Sequence, residues 1–257
     1  MVELTGSAML GVVQAIPRVA RILGHRVTVV GGLAVIARLG GAHRATTDLD
    51  TVQRRGTGES SDLQVLLDAG AMTDDSSVGA VITTPSGPVT VDVIEVTDAD
   101  LEPLPEEPGD RLYYLSHAWA ATTATPVCVR ITDPEIRQDL EVEVRMAEPG
   151  PLVAAKLQSV MDRPGAKAGT DLLDIVRLTL SPRTRPAVLA QCGGCADGLA
   201  EAARQRAELW FTTRRPDSVR LIRAVGGHDV DGDIVDLVGE LLIDAFGREG
   251  TASRGTE

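Results

Sequence analysis

A glycine pair, Gly31 and Gly32, is the feature that most restricts how this chain can fold. The pair follows a short β-branched run at 27–30 and precedes a helical apolar pattern at 33–39, which ends at Gly40. Glycines between a strand and a helix permit a tight turn, and they let an anion approach the free N–H groups of the helix. The segment therefore predicts a strand–turn–helix unit with a candidate phosphate contact at the helix N-terminus.

The front of the chain alternates strands and helices, whereas the back is mostly helical. Apolar residues at helical spacing predict front helices over 9–23 and 63–69. Runs rich in β-branched residues predict further strands over 48–52, 78–83, 89–96, 127–131 and 140–146. Helices are predicted in the back over 152–161, 171–178, 187–191, 199–209 and 234–246. We predict an α+β fold with domains over 1–110 and 111–257, separated at the Pro-rich acidic stretch 101–110.

Composition and charge limit the classes to which the chain can belong. Aromatic residues make up 2% of the sequence, which disfavours a base-stacking platform for single strands. The formal net charge of −12 disfavours indiscriminate binding to nucleic acid. Four arginines that follow the glycine pair in sequence are interpreted as a solvated face: Arg38, Arg44, Arg54 and Arg55. Because no apolar stretch is long enough to span a membrane and no secretory signal is evident, we expect a cytoplasmic protein.

Three aspartates carry the strongest chemical signal. Asp48 and Asp50 are two residues apart in a predicted strand, so their side chains project from the same face. Two adjacent carboxylates repel each other unless a cation neutralises them, and Mg²⁺ prefers carboxylate and phosphate oxygens. Asp92 lies in the apolar run 89–96, where a lone carboxylate is costly unless it is paired or binds a ligand. If the two strands are neighbours, the three residues predict a Mg²⁺ site.

Each part of this pattern also has an ordinary structural explanation. Asp48 and Asp50 could form an acidic loop edge, and the glycine pair could be a plain turn. Asp92 could accept a hydrogen bond from a neighbouring backbone N–H. Since all three explanations would have to hold together, the combined pattern favours the metal site.

A second charged cluster occurs in the helical back of the chain. Only two of the 25 basic residues are lysine, Lys156 and Lys167, which indicates a local need for a compact ammonium group. Asp171 and Asp174 are three residues apart and share a helix face, with Thr170 as a candidate N-cap. Lys156 could contact a phosphate or extend to solvent, and the acids could serve a site or only the helix dipole. The residues alone leave both alternatives open.

Two groups of residues resemble a known superfamily. Gly31-Gly32-x-Ala34 followed by Arg44-x-Thr46-Thr47-Asp48-x-Asp50 resembles the signature of the DNA polymerase β-like nucleotidyltransferases. The later set is similar to the AbiEii-type nucleotidyltransferase toxins, which include the mycobacterial MenT toxins: Lys156-Leu157, Arg163, Lys167, Asp171 and Asp174. The resemblance spans about residues 29–178. It implies a nucleotidyltransferase-like mixed sheet with flanking helices, followed by a mostly helical C-terminal domain.

The resemblance also implies an activity and partners. Members of this family transfer NMP from an NTP with Mg²⁺, as toxins of toxin–antitoxin pairs that a cognate antitoxin protein neutralises. Those best understood add pyrimidine nucleotides, from CTP or UTP, to the 3′ acceptor end of tRNA and so block translation. A small-molecule acceptor such as an aminoglycoside, a protein side chain as acceptor, and an inactive nucleotide-binding module remain alternatives.

Site roles are carried over by position. Asp48 and Asp50 would bind metal and Asp171 would complete the site, whereas Asp92 as a third metal ligand rests on the strand argument. The residues expected near the nucleotide are Gly31, Gly32, Arg44, Thr46, Thr47, Lys156 and Lys167.

Overall fold

A computed structural model describes residues 1–41, 43–56, 58–73, 79–133, 138–163 and 165–248. The chain divides into two compact units. Unit 1 contains Met1–Pro103 and His117–Glu148, and unit 2 contains Leu104–Ser116 and Pro149–Glu257.

Unit 1 is built on a mixed sheet of eight strands. The strands are β1 (Val2–Thr5), β2 (Thr28–Val29), β3 (Asp48–Arg55), β4 (Met72–Thr73), β5 (Gly79–Thr84), β6 (Gly87–Thr97), β7 (Thr125–Asp133) and β8 (Gln138–Met146). Their order across the sheet is β1-β7-β8-β2-β3-β6-β5-β4. The pairs β1/β7, β2/β8 and β3/β6 are parallel, and the remaining neighbours are antiparallel.

The helices of unit 1 cover or flank this sheet. They are α1 (Ser7–Leu23), α2 (Gly31–Leu39), α3 (Asp62–Asp68), α4 (Asp98–Leu101) and the second part of α5 (Pro108–Thr123). The apolar face of α1, which includes Val12, Val13 and Ile16, is buried where the helix packs against strands β3 and β5 to β8. Burial of such a stripe is what holds an amphipathic helix on a sheet.

Unit 2 is helical throughout its described part. After the first part of α5 it contains α6 (Pro149–Asp162), α7 (Ala166–Leu180), α8 (Arg185–Cys192), α9 (Asp197–Ala207), a π-helical segment (Glu208–Thr213), α10 (Arg215–Ala224) and α11 (Gly232–Phe246). Leu157 on α6 and Leu172 on α7 are fully buried where these helices pack together. In the described part of the chain, no helix combines the length and the apolar character needed to cross a bilayer.

The predicted α+β class is confirmed, and the strands predicted over 78–83 and 89–96 correspond to β5 and β6, which pair as an antiparallel hairpin. Gly87 in its turn has φ +116°, which a side chain would strain, and the Thr84 hydroxyl donates to the Gly87 carbonyl oxygen at 2.8 Å. Of the predicted strand 78–83, residue 78 lies outside the described residues.

The units divide differently from the predicted boundary at residue 110. β7 and β8 follow that boundary in sequence, yet they pair with β1 and β2 and so complete the sheet of unit 1. The connector predicted at 101–110 contains the start of α5 at Pro108, and β1, α5 and α10 were not predicted. Thr170 as an N-cap was wrong, because α7 begins one turn earlier, at Ala166.

Candidate functional site

The parallel pairing of β3 with β6 brings three carboxylates together. Asp50 is directly opposite Asp92 in the register of the two strands, and Asp48 lies two residues away on the same face. One oxygen from each carboxylate lies within 4.8 Å of the others. Asp50 is buried, whereas Asp48 and Asp92 are half-buried. We call these three residues the acidic triad. The condition set by the sequence, that the two strands are neighbours, is therefore met.

The glycine pair lies directly against this triad at the N-terminus of α2. The Val30 N–H donates to the Asp50 carbonyl oxygen at 2.9 Å, and the Gly32 N–H lies 3.3 Å from Asp50 Oδ2. Gly31 has φ +60°, and a Cβ atom at this position would lie 1.9 Å from Asp50 Oδ2. Position 31 thus requires glycine for its backbone conformation and for the approach of the carboxylate. The positive end of the helix dipole also favours an anion here.

The segment that precedes β3 supplies polar side chains to the same place. The Thr46 hydroxyl donates to Asp48 Oδ1 at 3.0 Å, which orients that carboxylate. A Cβ atom at Gly32 would lie 2.8 Å from Thr46 Oγ1 and 3.0 Å from Arg44 Nη2, so both groups reach the start of α2. Thr46 is buried, Arg44 is half-buried and Thr47 is exposed. The structure therefore brings together every unit 1 residue that the sequence proposed, with Thr47 at the solvent-exposed margin.

Unit 2 holds a separate charged cluster. Lys156 Nζ lies 2.6 Å from Asp171 Oδ1 and 2.9 Å from Asp174 Oδ2, and all three side chains are almost fully buried. Burial alone lowers the pKa of Lys156, but the two carboxylates outweigh it and raise the pKa above its ordinary value. Lys156 is therefore a charged, buried group. We call Lys156, Asp171 and Asp174 the lysine cluster.

The structure contradicts the two purely structural explanations that the sequence offered for these residues. Lys156 does not extend to solvent, since its side chain is 8% exposed, and the partners that the structure gives it are carboxylates. Asp171 and Asp174 lie beyond the first turn of α7, so they do not serve its N-terminus. Arg163 Nη1 lies 3.7 Å from Asp171 Oδ2, and Lys167 is exposed on the first turn of α7. The predicted phosphate contacts of Lys156 and Lys167 stay predictions.

The interpretation of the early arginines as a solvated face is wrong for Arg38. Its side chain is 15% exposed and forms an ion pair with Glu148 at 3.0 Å. Its guanidinium also donates to the carbonyl oxygens of Met146 and Ala147, at 2.7 and 2.9 Å. Arg38 therefore fixes the end of β8 to α2, a role that sequence reasoning missed because the partners are more than 100 residues away. A planar guanidinium with five donors suits several acceptors at once.

The acidic triad fits a hard divalent cation. In the described part of the chain it is the only group of three or more metal-ligating side chains whose ligand atoms lie this close together. An all-carboxylate donor set suits Mg²⁺ better than the softer transition metals, which favour imidazole or thiolate ligands. Asp48, Asp50 and Asp92 are therefore the residues that could hold the metal.

Comparison of the chain with protein-family models, with curated proteins and with solved structures gives no match.

Proposed function

We propose that this chain is a Mg²⁺-dependent nucleotidyltransferase that moves NMP from an NTP to a hydroxyl group of an acceptor. The acidic triad at the N-terminus of α2 is the observation that carries the proposal. Strands β3 and β6, the glycine pair and α2 would form the nucleotidyltransferase-like part of unit 1. Support comes from three carboxylates from two paired strands that meet at a helix N-terminus, where a metal and phosphates can be held side by side.

In the proposed reaction an acceptor oxygen bonds to the α-phosphorus of the NTP, and the bond between the α-phosphorus and the bridging oxygen breaks. Pyrophosphate leaves, and the hydroxyl proton passes to the Asp92 carboxylate and then to solvent. Asp48, Asp50 and Asp92 would hold Mg²⁺, which when bound neutralises phosphate charge and makes the hydroxyl easier to deprotonate. Asp92 is half-buried, so the residue is not sealed from solvent.

The neighbours of the triad fit supporting roles. Thr46 holds the Asp48 carboxylate through its hydroxyl group. Gly32 donates its N–H toward Asp50, which fixes the second ligand. Arg44 lies against the N-terminus of α2, where its guanidinium and the helix dipole would both attract a triphosphate. These side chains would orient the nucleotide and the ligands without forming covalent bonds.

The acceptor and the biological role are proposed from the sequence. The resemblance to AbiEii-type toxins supports tRNA as the acceptor, CTP or UTP as the nucleotide, and a cognate antitoxin as the partner. Lys156, Lys167 and Asp171 carry part of that resemblance. We therefore propose a toxin that modifies the 3′ end of tRNA and blocks translation, with the geometry of unit 1 supporting the transfer chemistry and the sequence supporting the acceptor.

Labelled NTPs incubated with the protein, Mg²⁺ and total tRNA test the proposal. We expect one or more α-labelled NTPs to transfer label to RNA and release pyrophosphate. Asp50→Asn should lower transfer about a thousandfold, since loss of a metal ligand removes several kcal/mol of barrier reduction. Asp139→Asn is the matched control, because Asp139 is an exposed aspartate of the same sheet outside the triad, and it should keep full activity.

The other outcomes identify the alternatives. Label in a protein or small-molecule fraction would preserve the chemistry and change the acceptor. Absence of transfer with every nucleotide and every acceptor fraction would overturn the proposal. An unchanged growth effect in Asp48→Asn would point to a binding module, because a catalytic toxin should lose toxicity with that ligand.

A further inference from the structure

A polar cavity of about 470 Å³ lies in unit 1, away from the acidic triad. It is lined by the segment after α1, by β2, β3 and β8, and by the last turn of α5. Its cationic lining residues are His25, Arg26, Arg54 and Arg145. The chain has a net charge of −12, so the positive charge around this cavity is opposite in sign to the charge of the whole protein.

The sheet register aligns two of these arginines on one face. Arg145 pairs with Thr28, and Thr28 pairs with Val52 on its other side, so the three side chains share a face. Arg54 lies two residues beyond Val52 along β3 and projects from that same face. Asp50, two residues before Val52, also shares it. Arg54 and Arg145 thus lie on the same face of the sheet as the acidic triad. Asp50 and Arg54 are about 13 Å apart along β3.

The carboxylates near the cavity leave much of this charge available. Asp62 is the acidic group in the lining, and it is buried and lies 2.9 Å from His25 Nε2. Arg26 pairs with Glu143 at 3.6 Å and Arg54 pairs with Asp98 at 3.2 Å. Both pairs are exposed, and such pairs are weak enough to exchange for a better anion.

Arg145 differs from the other arginines of the cavity. Its side chain is half-buried, yet within the described ranges of the chain it makes no hydrogen bond or ion pair. A partly desolvated guanidinium without a carboxylate is unfavourable in the free protein, and a phosphate that accepts two parallel hydrogen bonds from the guanidinium would relieve that cost. Thr28, Thr51 and Thr122 also line the cavity.

We propose that the cavity around Arg145 binds a phosphate group, with Arg145 as its principal contact and Arg26 and Arg54 as flanking charges. The phosphate could belong to a polynucleotide backbone or to a free phosphoester. The site itself stands on the cavity and its charges. Its assignment to the backbone of the RNA acceptor rests on the proposed function, because the shared face with the acidic triad then places the acceptor's phosphates beside the reacting end.

Direct binding without NTP or Mg²⁺ tests this site independently of catalysis. A short fluorescein-labelled single-stranded RNA is titrated against the full chain at several salt concentrations. We expect Arg145→Ala to weaken binding about tenfold, as for loss of one charge-assisted contact. The slope of log affinity against log salt should fall by about 0.7, as for one lost phosphate contact to a single strand. Arg145→Lys should fall between, since it keeps the charge and loses the planar fork.

Arg130→Ala is the matched control. Arg130 is exposed on β7 and pairs with Glu141 at 2.9 Å, outside the cavity. Its substitution should leave RNA affinity unchanged. Thermal melting should show Arg145→Ala folded at the wild-type temperature, because no partner of Arg145 within the described residues is lost. Arg145→Lys supplies the same test with a nearly full-length side chain.

A second experiment measures how far inorganic phosphate and pyrophosphate raise the melting temperature of each variant. Loss of RNA affinity in Arg145→Ala supports the backbone as the source of the phosphate. Loss of stabilisation by phosphate or pyrophosphate alone, with RNA affinity unchanged, supports a free phosphoester. If Arg145→Ala changes neither, or changes both only as much as Arg130→Ala does, the proposal is wrong. A protein that binds RNA through Arg145 and transfers no nucleotide would contradict the proposed function and leave this site intact.

Discussion

The two units each gather acidic side chains, but they do so in different ways. In the lysine cluster two buried carboxylates share Lys156, whose ammonium lies within 2.9 Å of both, and Arg163 lies 3.7 Å from Asp171. In the acidic triad three carboxylates converge within 4.8 Å at the start of α2, and two of them are half-buried. The first arrangement carries its counter-charge within the unit. The second has the donor set and the solvent access that a divalent cation requires.

This difference shows why aspartate spacing alone could not distinguish a structural cluster from a metal site. Asp171 and Asp174 share a helix face, just as Asp48 and Asp50 share a strand face. Burial and the nature of the counter-charge separate the two cases, and both depend on tertiary packing. Loss of the counter-charge should therefore affect stability differently in the two clusters.

Lys156→Met should give the largest loss of stability. The substitution leaves two buried carboxylates without their ammonium partner, which costs about 3–5 kcal/mol in the free energy of unfolding. Lys167→Met is the matched control, because Lys167 is exposed on the first turn of α7, and its effect should stay within about 0.5 kcal/mol. Urea denaturation monitored by circular dichroism measures both. Equal, small losses in the two variants would show that the lysine cluster is not a buried ion pair.

Gly31→Ala should destabilise unit 1 by an intermediate amount. An alanine must adopt φ near +60°, which costs about 1–2 kcal/mol, and its Cβ would lie 1.9 Å from Asp50 Oδ2. We therefore expect a total loss of about 2–3 kcal/mol in the free energy of unfolding, measured by urea denaturation.

The matched control for Gly31→Ala is Gly41→Ala. A Cβ atom at Gly41 would have no neighbour within 4 Å, and its φ is not in the left-handed region, so we expect little change or a slight gain in stability. A tolerated Gly31→Ala would mean that the Asp50 carboxylate is not held against the start of α2.

Addition of Mg²⁺ should stabilise the protein through the acidic triad. A ligand that binds only the folded state contributes about 1.4 kcal/mol at ten times its dissociation constant. We expect a rise in the melting temperature with MgCl₂ that EDTA reverses, and the rise should be absent in Asp50→Asn. Asp139→Asn should respond as the wild type does, since Asp139 lies outside the triad. An equal Mg²⁺ response in Asp50→Asn and the wild type would place the cation elsewhere.

The local parts of the fold could be predicted from sequence, whereas contacts between distant residues could not. The apolar periodicity of α1 and the Pro85-Ser86-Gly87 turn of the β5–β6 hairpin are local signals, and both elements are present. The convergence of Asp48 and Asp50 follows from strand geometry, but the register that places Asp92 opposite Asp50 is set by pairing between β3 and β6.

Other features depend on contacts between residues that are far apart in sequence. Arg38 resembles other arginines in sequence, and only the return of β8 to α2 gives it acceptors. The assignment of β7 and β8 to the first unit depends on strand pairing across more than 90 residues. The lysine cluster could be suspected from the two lysines, but its burial depends on the packing of α6 against α7. Contacts of this kind arise from chain topology, which residue spacing does not encode.

The His25–Asp62 pair gives the smallest predicted effect and extends the comparison to a counter-charge on a histidine, which can lose its proton. Partial burial lowers the pKa of His25, but the Asp62 hydrogen bond and nearby carbonyl and carboxylate oxygens raise it overall above 6.5. Burial raises the pKa of Asp62 above 3.8, and His25 partly offsets this. The pKa of His25 is thus raised in the folded protein, and the imidazolium is the member of the pair that the following comparison tests.

A histidine whose pKa is raised by folding stabilises the protein while it is protonated. The contribution is fully present below the unfolded pKa of about 6.5 and is lost as the pH rises through the folded pKa. The difference in unfolding free energy between the wild type and His25→Gln should therefore be larger at pH 6 than at pH 9. The His25 side chain is 41% exposed, so solvent screening limits the change to less than about 1 kcal/mol. Lys156→Met measured at the same two pH values should show no such change, because Lys156 stays charged across this range. A pH-independent difference for His25→Gln would mean that the imidazolium contributes nothing to the stability of the pair.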